Sequence, residues 1–364
     1  MIPPEDPDRS EIVERIASSI YKQGEQAQAA GMLDEAVSHY LRVGAAAPSA
    51  SIRSTAEYDA AATLIELQQW DRASSVLEDF RARYPDHELA DDVTAKLAVT
   101  YVESGDRARA AGEFERIAAS GSDPAVRREA LWRAGELYAE TQQTAAANNA
   151  FARFVEQFPR PAPQAIEARY KLVGFAEELG NERDRMGWLA DIVAADAAAG
   201  AERTDRTQYL AAHAQLSLAE PARNAFRATR LVAPLQDSLA AKRARMEEAL
   251  DAYGRAADYA VEDVTTAATY EIAELYHQLS RDLFDSERPP ELTDAELSQY
   301  DILLEEQAFP FEEEAISVHE VNAGRTADGI YDEWVRKSID ALAELMPVRY
   351  AKHEMGEQIV TTMR

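Results

Sequence analysis

Four consecutive stretches of this chain carry one pattern at a constant offset of 37 residues. Leu97, Ala98, Tyr101, Gly105, Ala110, Phe114 and Ile117 align with Ala134, Gly135, Tyr138, Gln142, Ala147, Phe151 and Phe154. The grid runs backwards through Ala61, Leu64, Gln68, Ala73, Leu77, Phe80 and Pro85, and again through Gly24, Ala27, Gly31, Ala36, Tyr40, Val43 and Pro48. A repeat of this length is one supersecondary unit that cannot bury its apolar face alone. Stacked neighbours must close the core, so the chain spends its length on one elongated body.

Within each unit a small residue, the residue three further on and a second small residue twelve after the first follow the spacing of two antiparallel helices. Gly or Ala at the crossing lets helix axes approach to about 8–10 Å, and larger residues at i+4 and i+7 fill the seam. Abundant Ala, Arg, Leu and Glu with few Val-Ile-Thr runs predict an all-α chain without strands.

These units resemble the tetratricopeptide repeat. In that family the small residues are the two crossing positions, the aromatic four residues past the second is a packing wedge, and a Pro closes the unit, here Pro48, Pro85 and Pro159. The third copy departs, with Ser122 at that place and Pro124 two residues later. The resemblance implies a right-handed superhelical solenoid of helical hairpins. The family period is about 34, so each unit here is longer by about three residues, placed in the turn between units. Such lengthened repeats look like those of bacterial envelope proteins, among them the lipoprotein of the outer-membrane barrel-assembly machinery. The segment from Leu303 to Lys352 is similar to the C-terminal end of proteobacterial tetratricopeptide proteins encoded beside ExbB/ExbD/TonB-like energy transducers.

The net charge of −28 repels a polyanion, which argues against nucleic acid as a partner. No cysteine is available for a disulfide, a thiolate metal site or a thiol nucleophile. No apolar run approaches the ~18 residues of a membrane span. Met1-Ile2-Pro3-Pro4 has neither the basic start nor the apolar stretch of a signal peptide. The envelope resemblance implies a place in the periplasm or cell envelope, and there the chain is expected to be a mature region, or a piece of a longer one behind an added Met. A cytoplasmic adaptor is the alternative.

Residues 1–9 read as a disordered lead-in, 10–200 as about five repeat units, 201–288 as degenerate helical repeats and 289–364 as a C-terminal helical region. Ser10 is expected to cap the first helix, supported by Glu11 and Glu14. The fifth unit, about 164–198, places Arg185 where a small crossing residue belongs. Ala195 to Thr204 and Ser286 to Pro290 are candidate joints. Pro221 and Pro310 are each expected at the first position of a helix, the latter followed by Glu312, Glu313 and Glu314. Gly324 is expected to end that helix. A last helix, about 330–346, would turn Trp334, Ile339, Leu342 and Leu345 inward and stop at Pro347.

In a tetratricopeptide stack the first helices line the concave face. The family's inward positions fall here on Tyr21, Glu25 and Gln28; Tyr58, Ala62, Ile65 and Glu66; Val99, Val102 and Glu103; and Trp132, Glu136 and Glu140. Aromatics would supply area and the acids would steer a partner segment carrying apolar anchors and Lys or Arg. Packing between adjacent units explains Tyr58 and Trp132 equally well. The Lys and Asn carboxylate clamp of chaperone-binding members is missing, since Tyr21, Ala62 and Glu136 stand among those positions. The expected function is therefore non-enzymatic scaffolding of a protein or peptide, with no cofactor and no metal.

Catalysis finds little support. His319-Glu320 is followed by Ala323 where a zinc-protease helix needs a second His, and His353-Glu354 ends at Glu357. Glu305, Glu306 and Glu312 to Glu314 lack the loop that shapes a calcium site and read as a charged helix face. A hydrolase or metal-dependent enzyme using His319 is the remote alternative.

Overall fold

The computed structural model describes residues 8–351. Most of the expected lead-in, and His353, Glu354 and Glu357, lie outside the described residues. Sixteen α-helices follow one another: α1 Arg9–Ala29, α2 Leu33–Ala46, α3 Arg53–Glu66, α4 Trp70–Arg83, α5 Ala90–Ser104, α6 Arg107–Ser120, α7 Pro124–Glu140 and α8 Thr144–Gln157. Then come α9 Ala162–Glu178, α10 Glu182–Ala197, α11 Asp205–Ala228, α12 Leu235–Ala257, α13 Glu262–Phe284, α14 Asp294–Gly324, α15 Glu333–Leu345 and α16 Pro347–Tyr350. No strand occurs among the described residues, and the architecture is that of a helical-repeat protein. Two compact units divide the chain: residues up to Pro159 with Gly174–Asn181, and Arg160–Val173 with the residues from Glu182 onward.

In the first unit the grid becomes geometry. The turn inside each hairpin needs one residue in the left-handed region, and it falls at Gly31, Gln68, Gly105 and Gln142, with φ of 77°, 55°, 82° and 59°. Glycine takes that conformation without strain, whereas the two glutamines carry the steric cost of a Cβ. The second crossing position is fully buried in all four hairpins, at Ala36, Ala73, Ala110 and Ala147. At the first crossing position two of the four residues are glycines held against a ring. A Cβ on Gly24 would sit 2.6 Å from Tyr40, and one on Gly135 would sit 2.7 Å from Phe151. Ser10 does not cap α1. Asp8 takes the N-cap place, its carbonyl accepting from the Ile12 N–H at 3.0 Å, which leaves Ser10 inside the first turn. Glu14 instead accepts from the backbone N–H and the hydroxyl of Ser51, at 2.8 and 3.0 Å, and ties α1 to the loop before α3.

The second unit contradicts two expectations, for one reason. Pro221 does not open a helix but lies inside α11, and Pro310 lies inside α14. A proline in a helix interior costs about 3 kcal/mol. Both rings are exposed while a buried stripe runs past them on the opposite side: Ala212, Ala219 and Phe226 in α11, and Leu304, Ala308, Ala315 and His319 in α14. Burial of those stripes keeps each helix continuous. The true start of α14 is Thr293, whose side chain and that of Glu296 form a reciprocal capping box. Gly324 ends α14 as expected. In α15, Leu342 is buried as expected, but Val335 and Ser338 take the other fully buried places while Trp334, Ile339 and Leu345 are half-buried. Pro347 both follows α15 and opens the short α16.

Two buried polar side chains of this unit, Asn322 and Lys242, bond across helices. Asn322 Nδ2 donates to Ser338 Oγ at 2.8 Å and to the Thr266 carbonyl at 3.2 Å, joining α13, α14 and α15. Lys242, 1% exposed, donates to the carbonyls of Phe226 and Thr229 at 3.1 and 2.7 Å and reaches Asp282 at 2.6 Å. It neutralises the negative C-terminal end of α11.

Candidate docking groove

The eight residues expected in the groove all stand on first helices of the hairpins: Tyr21 and Glu25 on α1, Tyr58 and Glu66 on α3, Glu103 on α5, and Trp132, Glu136 and Glu140 on α7. The tyrosines knit this row together. Tyr21 donates its phenol proton to Asp59 on α3 at 2.5 Å, and Tyr58 donates to Asp92 on α5. Burial, and then the neighbouring carboxylate, raises the Tyr21 phenol above its ordinary range and pushes Tyr58 up to about 12. Lys96 lies over the Tyr58 ring at 5.3 Å, a cation placed on the electron-rich face. Tyr21 also packs on Tyr40, with centroids 5.3 Å apart.

Trp132 is half-buried and sits edge-on against Phe151 and Phe154 of α8, at 5.2 Å from each. It is thus a wedge of its own hairpin that shows only part of its ring to solvent. Glu25, Glu66 and Glu103 are exposed. Glu136 pairs with Arg133 at 3.2 Å, and Glu140 pairs with Arg107 at 2.9 Å. The row therefore presents acidic groups around tyrosines that are half-buried and already hydrogen-bonded.

Asp59, Asp92 and Lys96 were not among the expected groove residues. The two acids lie 38 and 34 residues beyond their tyrosines, one unit along the stack but off the 37-residue period, so no sequence signal marks them. A second, unexpected network lies toward the second helices. Tyr101 donates to Glu78, and Tyr138 to Glu115 at 2.9 Å, an arrangement repeated at the 37-residue offset. Glu78, Tyr101 and Glu115, with Arg109, Glu113, Arg116 and Arg153, line a hollow of about 540 Å³. Its cations are answered from within, Arg153 by Glu115 at 2.8 Å and Arg116 by Glu113 at 3.7 Å.

His319 is fully buried between α14 and α13, its Nε2 3.6 Å from Glu274 Oε1 and its ring 5.7 Å from that of Tyr270. It presents no face to a substrate. Among the described residues no cluster of three or more His, Asp or Glu has an arrangement that could hold a metal. Among the same residues no helix is long and apolar enough to cross a membrane.

The tetratricopeptide repeat family model matches residues 55–87 and 129–160, which are the α3–α4 and α7–α8 hairpins. No curated protein matches the chain. Among solved structures the chain is similar to the MamA protein, at 15% identity over 50% of this chain and 92% of that one, with a TM-score of 0.32. It is similar to YrrB, described as a TPR protein with an unusual peptide-binding site, at 18% identity over 54% and 89% of the two chains, with a TM-score of 0.31. A tetratricopeptide repeat protein from Parabacteroides merdae is similar at 11% identity over 79% and 98%, with a TM-score of 0.32.

Proposed function

We propose that the first-helix row of the N-terminal unit is a docking groove for a protein segment that carries Lys or Arg and apolar anchors. The observation that carries this reading is the exposed acidic set Glu25, Glu66 and Glu103 along a row of first helices fixed by Tyr21 and Tyr58. Such an arrangement steers a basic segment by charge and offers it a preformed surface, which lowers the ordering cost of binding. The test is binding of basic synthetic peptides to the chain and to a Glu25→Gln, Glu66→Gln, Glu103→Gln variant. These side chains are exposed, so the fold should persist while affinity falls about tenfold and loses salt dependence. Unchanged affinity would remove the groove.

We place this scaffold in the bacterial envelope, beside an energy-transducing or assembly complex. The support is the lengthened repeat and the likeness of Leu303 to Lys352 to envelope-associated tetratricopeptide proteins. In-cell crosslinking with mass spectrometry of periplasmic and cytosolic fractions tests it. Crosslinks to envelope proteins support the placement, and crosslinks confined to cytosolic proteins make the chain a cytoplasmic adaptor.

A further inference from the structure

The grid that carries Tyr21, Tyr58 and Trp132 also runs through Ala95. Tyr21 reaches from α1 to α3 and Tyr58 from α3 to α5, but Ala95 has no group that could reach from α5 to α7. The counterpart of Asp92 one period on is Glu129, which stays exposed on α7. Where a third tyrosine would lie there is instead a hollow of about 220 Å³, lined by Asp91, Ala95, Ile117, Gly121, Asp123 and Val126 among others. Its surroundings are apolar and open to solvent: Val126 is 49% exposed, and Val99, one turn along α5 from Ala95, is 51% exposed. The loop on its rim is also where the third repeat carries Ser122 in place of the closing proline.

We propose that this hollow is the anchor site of the groove and takes one bulky apolar side chain, Phe, Leu or Met, from a partner segment with Lys or Arg on either side of it. The hollow has room for one such side chain, which a partner segment supplies. Burying such a group contributes about 1.5–3 kcal/mol. The flanking cations follow from charge complementarity: Asp91 in the first turn of α5 and Asp123 at the start of α7 stand on the rim, with Glu129 and Glu103 exposed on the same two helices. An acidic partner would meet like charge at each of these places. Asp123 already accepts from the Ala125 N–H at 2.8 Å, which fixes its carboxylate at the rim. The inference rests on the docking reading above and names the residue type that the groove selects.

The experiment uses two fluorescein-labelled synthetic peptides, Lys-Lys-Gly-Phe-Gly-Arg-Lys and its counterpart with Ala in place of Phe, titrated by fluorescence polarisation with the full chain. The chain is expected to prefer the Phe peptide about tenfold, the equivalent of burying one such ring in part. Ala95→Tyr restores the grid aromatic and fills the hollow, so it should abolish the preference while leaving the helical circular-dichroism signal intact. Val126→Asp is the second variant, should Ala95→Tyr fail to fold, and it should also erase the preference by charging the hollow. A Phe preference that survives a folded Ala95→Tyr or Val126→Asp chain overturns the inference. So does equal binding of both peptides to the unmodified chain. If both peptides bind equally and both weaken in the Glu25→Gln, Glu66→Gln, Glu103→Gln variant, the groove stands and only the anchor fails. If that variant binds both as the unmodified chain does, or if neither peptide binds at all, the groove fails and the anchor with it.

Discussion

The phenol of Tyr58 on α3 donates to the carboxylate of Asp92 on α5, so a residue expected to face a ligand is also a clamp between successive repeats. Tyr21 does the same from α1 to Asp59 on α3. The two roles are compatible, because a hydrogen-bonded phenol still exposes one edge of its ring, and fixing it lowers the entropy lost on docking. What the clamp adds is register: α1 is tied to α3, and α3 to α5, by a bond that a tyrosine's reach allows.

This predicts a loss of stability at alkaline pH. The Tyr58, Tyr101 and Tyr138 phenols are each pushed from 10.0 up to about 12, by burial and then by the carboxylate that accepts their proton. A raised folded-state value means a contribution fully present below pH 10.0 that is lost as the pH rises through about 12. The thermal midpoint should therefore fall across that window. In a Tyr58→Phe, Tyr101→Phe, Tyr138→Phe chain it should start lower and fall less. Parallel pH profiles for the two chains would show that the phenols do not hold the repeats.

Packing at the first crossing position gives a second prediction. A Cβ on Gly135 would lie 2.7 Å from Phe151, whose ring is itself held edge-on by Trp132. Gly135→Leu should cost about 1–3 kcal/mol in urea unfolding, since the ring cannot retreat without dislodging its neighbour. Glu140→Gln breaks only the exposed pairs with Arg107 and Arg133 and should cost under about 1 kcal/mol. Equal costs would mean that the hairpin register is wrong.

The regular half of the fold was legible because its constraints are local and recur. Positions 31, 68, 105 and 142 stand out because each must adopt a positive φ, and the alanines opposite them because each must be buried. Pro221 and Pro310 depart from the local rule that proline opens helices, because the apolar spacing continues through both. The sevenfold spacing of Ala212, Ala219 and Phe226 is that continuation in α11. The groove tyrosines could be placed from the grid, but their acceptors could not. Asp59 and Asp92 lie 38 and 34 residues beyond their tyrosines, off the period, and a chain with 66 acidic residues supplies a carboxylate near almost any offset. Only the geometry shows which ones accept.

Lys242 provides a prediction for the second unit. Its ammonium group is buried against two carbonyls at the end of α11 and Asp282. Lys242→Met keeps the apolar stem but removes the ammonium that bonds the two carbonyls and pairs with Asp282, and should cost about 3 kcal/mol, the lower end for breaking a buried pair because Asp282 is partly exposed. Lys337→Met removes a half-exposed cation paired with Glu333 at 2.7 Å and should cost under about 1 kcal/mol. Unfolding in urea separates the two, and indistinguishable midpoints would show that Lys242 contributes no more than a surface lysine.

The acid response of the same unit centres on Glu274. Its Oε1 lies 3.6 Å from His319 Nε2 and 3.8 Å from His277 Nδ1, ion-pair distances longer than a hydrogen bond. Burial pushes this carboxyl up, but the two imidazoles outweigh burial and hold it down at about 2, against an ordinary 4.5. A depressed folded-state value means a contribution fully present above pH 4.5 that is lost as the pH falls through about 2. Other groups facing this cluster are the Tyr270 ring beside His319 and Lys337, which lies over that ring at 5.8 Å. Glu274→Gln should leave the fold intact at neutral pH and move the acid-unfolding midpoint to higher pH, because it removes the contribution that the depressed carboxyl supplies above its folded-state value. Circular dichroism across an acid titration of both chains decides it: coincident midpoints would mean that Glu274 has no part in holding α14 to α13.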